Sequence, residues 1–177
     1  TQESKEEDTK LNFAKGDKLS TVSFRWNNHQ IAFEVEAKSI KQIESKGFFD
    51  IDGQLIQFST VKVPGNIDLT NLNDEKEISI LKRYVHYETQ YFQNELKMAI
   101  TDLKIDIESF NDKNFVKWGF NFTSKTDQSA IAAKKQIYYT TLCWDRVVSL
   151  NSPIMAKDNT KQINKRIEMI LNSIRME

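Results

Sequence analysis

The feature that most constrains this chain is a period of two. LSTVSFRW (Leu19 to Trp26) places Val22, Phe24 and Trp26 on one face, and IAFEVEA (Ile31 to Ala37) places Ile31, Phe33 and Val35 inward with Glu34 and Glu36 outward. Alternation of this kind marks a half-buried strand, because successive side chains point to opposite faces. The four residues Asn27 to Gln30 read as the turn of a hairpin. FFDIDGQLIQFSTVKV (Phe48 to Val63) repeats the pattern, with Asp52-Gly53 at its turn, where glycine accepts the positive φ of a type I′ turn.

Pro64-Gly65 ends that run, and the polar loop NIDLTNLND leads to Asp74, expected to cap a helix with Glu77 three residues on. The helical pattern extends from Glu75 to Ile100. Alternation then resumes in DLKIDIESF (Leu103, Ile105, Ile107), in NFVKWGFNF (Val116, Trp118, Phe120, Phe122), in IAAKKQIYYTTLCW and in DRVVSLNSP, with Asp145-Arg146 near the turn between the last two. The closing NTKQINKRIEMILNSIRM spaces Ile163, Ile167, Ile170, Leu171 and Ile174 as one buried helical stripe. Short hairpins imply an antiparallel sheet. The expected fold is α+β, a twisted antiparallel sheet of about six to eight strands with one long central helix and a C-terminal helix on its faces.

The 177 residues suit one domain. Residues 1–18, TQESKEEDTKLNFAKGDK, are polar with mixed charge and read as a flexible spacer ahead of a domain at 19–177. The spacer is either a boundary inside a longer chain or the tether of an exported protein or lipoprotein whose signal segment and lipid anchor preceded Thr1. Charge is balanced, 25 basic against 25 acidic residues, which gives no field to attract nucleic acid. No run of 18 apolar residues spans a bilayer. The one cysteine, Cys143, makes neither an internal disulfide nor a thiolate zinc site and reads as a buried structural thiol.

The densest stretch is RYVHYETQYFQNEL, Arg83 to Leu96. At about 100° per residue, Ile78, Leu81, Val85, Phe92, Leu96 and Ala99 form the face expected on the sheet. Ile80, Tyr84, Tyr87, Tyr91 and Met98 form a second stripe, expected on nearly the opposite side, with Glu88 and Glu95 flanking the core stripe. A stripe this apolar is covered by a loop, by the N-terminal segment or by a second protomer, or it is a surface for a protein partner, tyrosine being enriched at interface hot spots. His86 falls on a polar strip about 200° from Glu88, so the two do not share a metal; no metal or cofactor is expected.

Other patterns have simpler readings. Asp50 and Asp52 have the Asp-x-Asp look of a calcium loop, but Gly53 comes too early and a hairpin turn explains it. Asp102, Asp106 and Glu108 read as a solvated strand face; acid/base chemistry there is the enzyme alternative, through a carboxyl with a raised pKa. Trp26, Trp118 and Trp144 are expected on strands at the core or its rim. Asn121-Phe122-Thr123 fits a glycosylation sequon inside a strand.

The C-terminal third has a cadence: strands KKQIYYTTLCW and RVVSLNSP, a polar spacer, and a helix ending ILNSI with Leu171, Ser173 and Ile174. It resembles the Mog1/PsbP-like fold, also seen in small bacterial envelope lipoproteins. The resemblance implies an antiparallel sheet with helices on its faces, and binding or accessory roles like those of a photosystem subunit, a small-GTPase-binding factor and chaperones for secreted effectors. It brings no catalytic residue, and the long tyrosine-bearing helix departs from it. The expected function is a non-enzymatic binding or accessory protein of the bacterial cell envelope, acting through protein–protein contacts. The partner is another protein, or a second copy through the tyrosine face. The alternative is a soluble chaperone for a secreted effector, holding an apolar segment on the sheet or the helix stripe. The expected location is the periplasm or the outer membrane, with the cytoplasm as the alternative.

Overall fold

The computed structural model describes residues 9–44, 46–123 and 133–177. Along the described chain run β1 (Lys10–Ala14), β2 (Leu19–Trp26), β3 (His29–Glu36), β4 (Ile40–Glu44), β5 (Phe48–Ile51), β6 (Gln54–Lys62), α1 (Asp74–Asn94), β7 (Ala99–Phe110), β8 (Lys113–Thr123), β9 (Ala133–Cys143), β10 (Arg146–Met155), α2 (Thr160–Leu171) and β11 (Arg175–Met176). The class is α+β, and the described strand pairings are antiparallel.

The strands form two sheets where one was expected: β1-β2-β3-β11, and β4-β5-β6-β10-β9-β8-β7. Alternation tells each strand which face to bury and leaves its neighbours undetermined, so the opening hairpin was free to found its own sheet. The spacer also needs correction. Lys10–Ala14, inside residues 1–18, pairs with β2 from Arg25 back to Thr21. Phe13 packs edge-on against Phe49 at 5.1 Å. Two apolar residues suffice there because β2 supplies a ready-made edge. Gly16 makes the following bend: a Cβ on it would meet the Leu19 carbonyl at 2.0 Å. Residues 1–8 of the expected spacer lie outside the described residues.

The turns follow backbone chemistry. Asp52 and Gly53 have φ of 51° and 85°, the type I′ pattern expected. The first hairpin is tighter than expected: Trp26 pairs with His29, leaving Asn27 (φ 49°) and Asn28 as a two-residue turn. The helix caps differ as well. Asn73, not Asp74, caps α1, its side-chain oxygen accepting from the Lys76 N–H at 2.8 Å. Asp74, Glu75 and Glu77 occupy the first turn, where the helix dipole favours carboxylates. The helix ends at Asn94 rather than near Ile100, and Lys97 takes φ 53° before β7 starts. No glycine or proline marks this exit, so helical and strand periodicities run into one another there.

The seven-stranded sheet separates two cores. On one face, Val22, Phe24, Trp26, Phe33 and Val35 of the small sheet meet Phe49, Ile56, Phe58, Tyr139 and Leu150. The stripe Ile163, Ile167, Ile170 and Leu171 of α2 seals this core, and Ile174 is buried just beyond the helix. The ILNSI ending is structural: Ser173 Oγ accepts from the Glu34 N–H of β3 at 2.8 Å. On the other face, α1 lays Leu81 and Val85 over Val116, Trp118, Phe120, Leu142 and Val147. No described helix is long and apolar enough to cross a membrane.

Candidate partner-binding surface

The two stripes of α1 turn out to be neighbours. At about 100° per residue, Tyr84 lies only about 60° from Leu81, and the buried arc runs from Ile80 to Thr89 across roughly half the helix. A helix set across several strands buries a wide arc, not a narrow seam. Ile80 and Leu81 are buried in the same core, and Tyr84 packs against it. Met98 lies past the helix end, on the link to β7, and packs on that core too. Of the five expected partner-binding residues, Ile80 is therefore core, and Tyr84 and Met98 are partly buried. Tyr87 and Tyr91 lie at the Ile80 edge of that arc and are 66 % and 44 % exposed.

Glu88, expected at the rim of the core stripe, sits near the middle of the buried arc. Tyr84 and Tyr138 face it, and Tyr84 also meets Ser149 of β10. Burial raises the Glu88 pKa, while the Tyr84 hydroxyl, donating to the carboxylate, opposes the rise. Burial first, then the Glu88 charge, raises the pKa of Tyr84 and of Tyr138. Both phenols thus remain protonated. Beneath them Trp118 stacks on Tyr138 at 4.0 Å and donates Nε1–H to Thr140 Oγ1 at 2.9 Å, and Thr140 meets Ser149 at 2.9 Å. A row of amides continues along the sheet: Gln136 donates to Asn151 at 3.0 Å, and Asn151 to Gln57 at 3.1 Å. This polar seam orients α1, since a buried polar group must keep its partner.

The remaining candidates separate. His86 is exposed on α1, while His29 stacks on Trp144 at 4.1 Å. Among the described residues no group of three His, Cys, Asp or Glu is arranged to hold a metal. Asp50 accepts from the Gly53 N–H at 2.8 Å, within the hairpin turn. Asp52 accepts from the Ser39 N–H at 2.7 Å and pairs with Arg166 at 3.2 Å. The Ser39 bond first, with help from Lys38 and Arg166, holds its carboxyl below the usual range. Glu108 pairs with Lys117 at 3.1 Å, and Lys117 reaches Glu168 of α2 at 3.7 Å. Asp102 sits apart in a bulge with φ 58°, so the three strand carboxylates share no pocket. Burial pushes the Cys143 thiol up to about 12, as befits a structural cysteine.

Two features were missed in the sequence. Trp144 is not on a strand: it occupies the β9–β10 turn at φ 51°, a conformation that favours glycine. Stacking on His29 and an edge contact to Trp26 at 5.8 Å hold it, and Trp26 Nε1–H donates to Asp145 at 2.9 Å, so the turns of the two sheets are joined. The second is β7. It is the outermost strand of the large sheet and leaves Leu103, Ile105 and Ile107 42 %, 40 % and 47 % exposed. Alternation looks the same at an edge as at a centre; the charges interleaved at Asp102, Lys104, Asp106 and Glu108 were the one available cue.

No protein-family model matches the chain, and no curated protein matches it. Among solved structures the chain is similar to the solution structure of cyanobacterial PsbP (CyanoP) from Synechocystis sp. PCC 6803, with 8 % identity and a TM-score of 0.45 over 100 % of this chain and 97 % of that one. At that identity and TM-score the likeness carries no argument about family, activity or partner.

Proposed function

We propose that this is a binding or accessory protein that engages another protein through the exposed Ile80-side edge of α1, with Tyr87 and Tyr91 as anchors. The observation that carries the reading is their placement: two exposed tyrosines one helical turn apart, on a helix whose inner face is fixed by Leu81 and Val85. Tyrosine brings a large contact area with few rotatable bonds, and the Tyr91 ring is already held edge-on to Phe92 at 6.3 Å. Little ordering entropy is then lost on binding. The reading is non-enzymatic: Glu88 and Cys143 are accounted for by burial, and Glu108 by an ion pair with Lys117. Action at the bacterial cell envelope belongs to the same proposal, and fractionation of the source cells tests it separately.

Site-specific photo-crosslinking with the reactive group at position 87 tests the interface. A discrete adduct with one protein is expected, lost on Tyr91→Ala and absent when the group is placed at Lys41 on the far edge strand. The same smear of adducts from positions 87 and 41 would sink the reading.

A groove of about 860 Å³ between the small sheet and α2 supports the chaperone reading in second place. It exposes Leu19 and Met169 beside Glu36, Lys165 and Arg166, a mixture suited to an extended amphipathic peptide.

A further inference from the structure

The long edge of the large sheet carries an inference independent of α1. Among the described residues β7 pairs only with β8, so along its twelve residues one row of backbone N–H and C=O groups faces outward. Ile105 lies opposite Trp118 and Ile107 opposite Val116. These isoleucines therefore project on the α1 side of the sheet, and with Leu103 they make an exposed apolar strip. Lys104, Asp106 and Glu108 project on the other side. An unpaired edge of this length with one apolar face is a template for another strand.

We propose that the occupant is a second copy of this chain, docked through β7 against β7 about a two-fold axis at Ile105. Charge selects this register. In antiparallel self-pairing centred on Ile105, Leu103 lies opposite Ile107 of the second copy, and Ile105 opposite its own counterpart. Lys104 then lies opposite Asp106, and Asp106 opposite Lys104. Centring on Lys104 would oppose two lysines, and centring on Asp106 would oppose two aspartates, both destabilising directly across a strand pair. Asp106 makes no ion pair within its own chain among the described residues, and Lys104 makes only a loose, exposed one to Asp102 at 3.8 Å. The one unfavourable opposition, Asp102 with Glu108, falls where the strand already bulges between Thr101 and Lys104, and Glu108 is neutralised by Lys117. Such an axis is normal to the sheet and isologous. Both copies of α1 therefore lie on the same side, with the two Leu103-Ile105-Ile107 strips joined between them.

Sedimentation across a concentration series tests this on the parent, on Lys104→Asp, on Asp106→Lys, on their one-to-one mixture and on the double variant. All these side chains are exposed, so folding is not at stake. The parent and the double variant dimerise. Each single variant opposes like charges at both crossings and associates roughly tenfold or more weakly. Mixing the two single variants restores opposite charges and the dimer. A parent that stays monomeric at every concentration overturns the proposal. So does a dimer that both single variants retain, or one dissolved by Tyr87→Ala with Tyr91→Ala instead, which would move the contact to α1. Crosslinking from position 87 to another protein is unaffected by Lys104→Asp, so the two proposals fail separately.

Discussion

The two faces of the seven-stranded sheet are built to different standards. One is closed by a second sheet and by α2, with rings interlocked from both layers: Phe33 on Phe58 at 5.7 Å, Phe58 on Phe49 at 5.5 Å and Phe49 on Phe13. The other is closed by a single helix. Its interface carries Glu88, Tyr84, Tyr138, Thr140 and Ser149 among the apolar groups, and it leaves the β7 strip open. A two-layer aromatic core supplies stability and tolerates little change. A single helix over a partly polar seam supplies less stability and more specificity, and it is the side where apolar surface remains for other molecules.

The contrast can be broken most directly by truncating each core. Leu150→Ala, in the doubly covered face, is expected to cost about 4 kcal/mol in denaturant unfolding, and the matched Leu81→Ala under α1 about 2–3 kcal/mol. Equal losses would mean that α1 closes its face as tightly as the second sheet closes the other. Glu88→Gln sharpens the comparison with a smaller effect of opposite sign. Because burial raises the Glu88 pKa, the folded protein holds that proton more tightly than the unfolded chain does. Stability conferred by the group is complete below the ordinary glutamate value of about 4.5 and declines as pH rises from there through the raised value. The glutamine variant should lose this decline and melt at a higher temperature at neutral pH. A variant that melts lower would show that the ionised carboxylate, bonded to Tyr84, is what the seam needs. The smallest effect belongs to the surface: Tyr87→Ala should change unfolding stability by no more than about 0.5 kcal/mol, and Tyr91→Ala should abolish the crosslink from position 87. A larger loss would place Tyr87 in the core with Tyr84.

Much of this fold was legible because its signals are local. Val22, Phe24 and Trp26 had to share a face whatever they met, and Asp52-Gly53 had to turn. The Ile163-to-Ile174 stripe was readable because every member is buried on one side. The candidate site was less legible. Tyr84 and Tyr87 are the same residue type three positions apart, and only the width of the sheet beneath α1 decides that one is covered and the other is not. Met98 continued a helical pattern on paper, yet the chain leaves the helix four residues earlier. Trp144 sits where glycine is favoured because an aromatic cluster drawn from another sheet holds it there.

By itself the sequence determined the α+β class, the antiparallel hairpins, the inward face of most strands and the buried side of α2. These follow from side-chain alternation, turn chemistry and helical period, each acting within a few residues. The tertiary structure alone decided the division into two sheets, the pairing of Lys10–Ala14, the half-buried Glu88 beneath α1 and the edge position of β7. Each of those depends on which distant segment supplies a backbone partner or excludes water, and the only trace of it within the neighbouring sequence is the run of charges interleaved along β7.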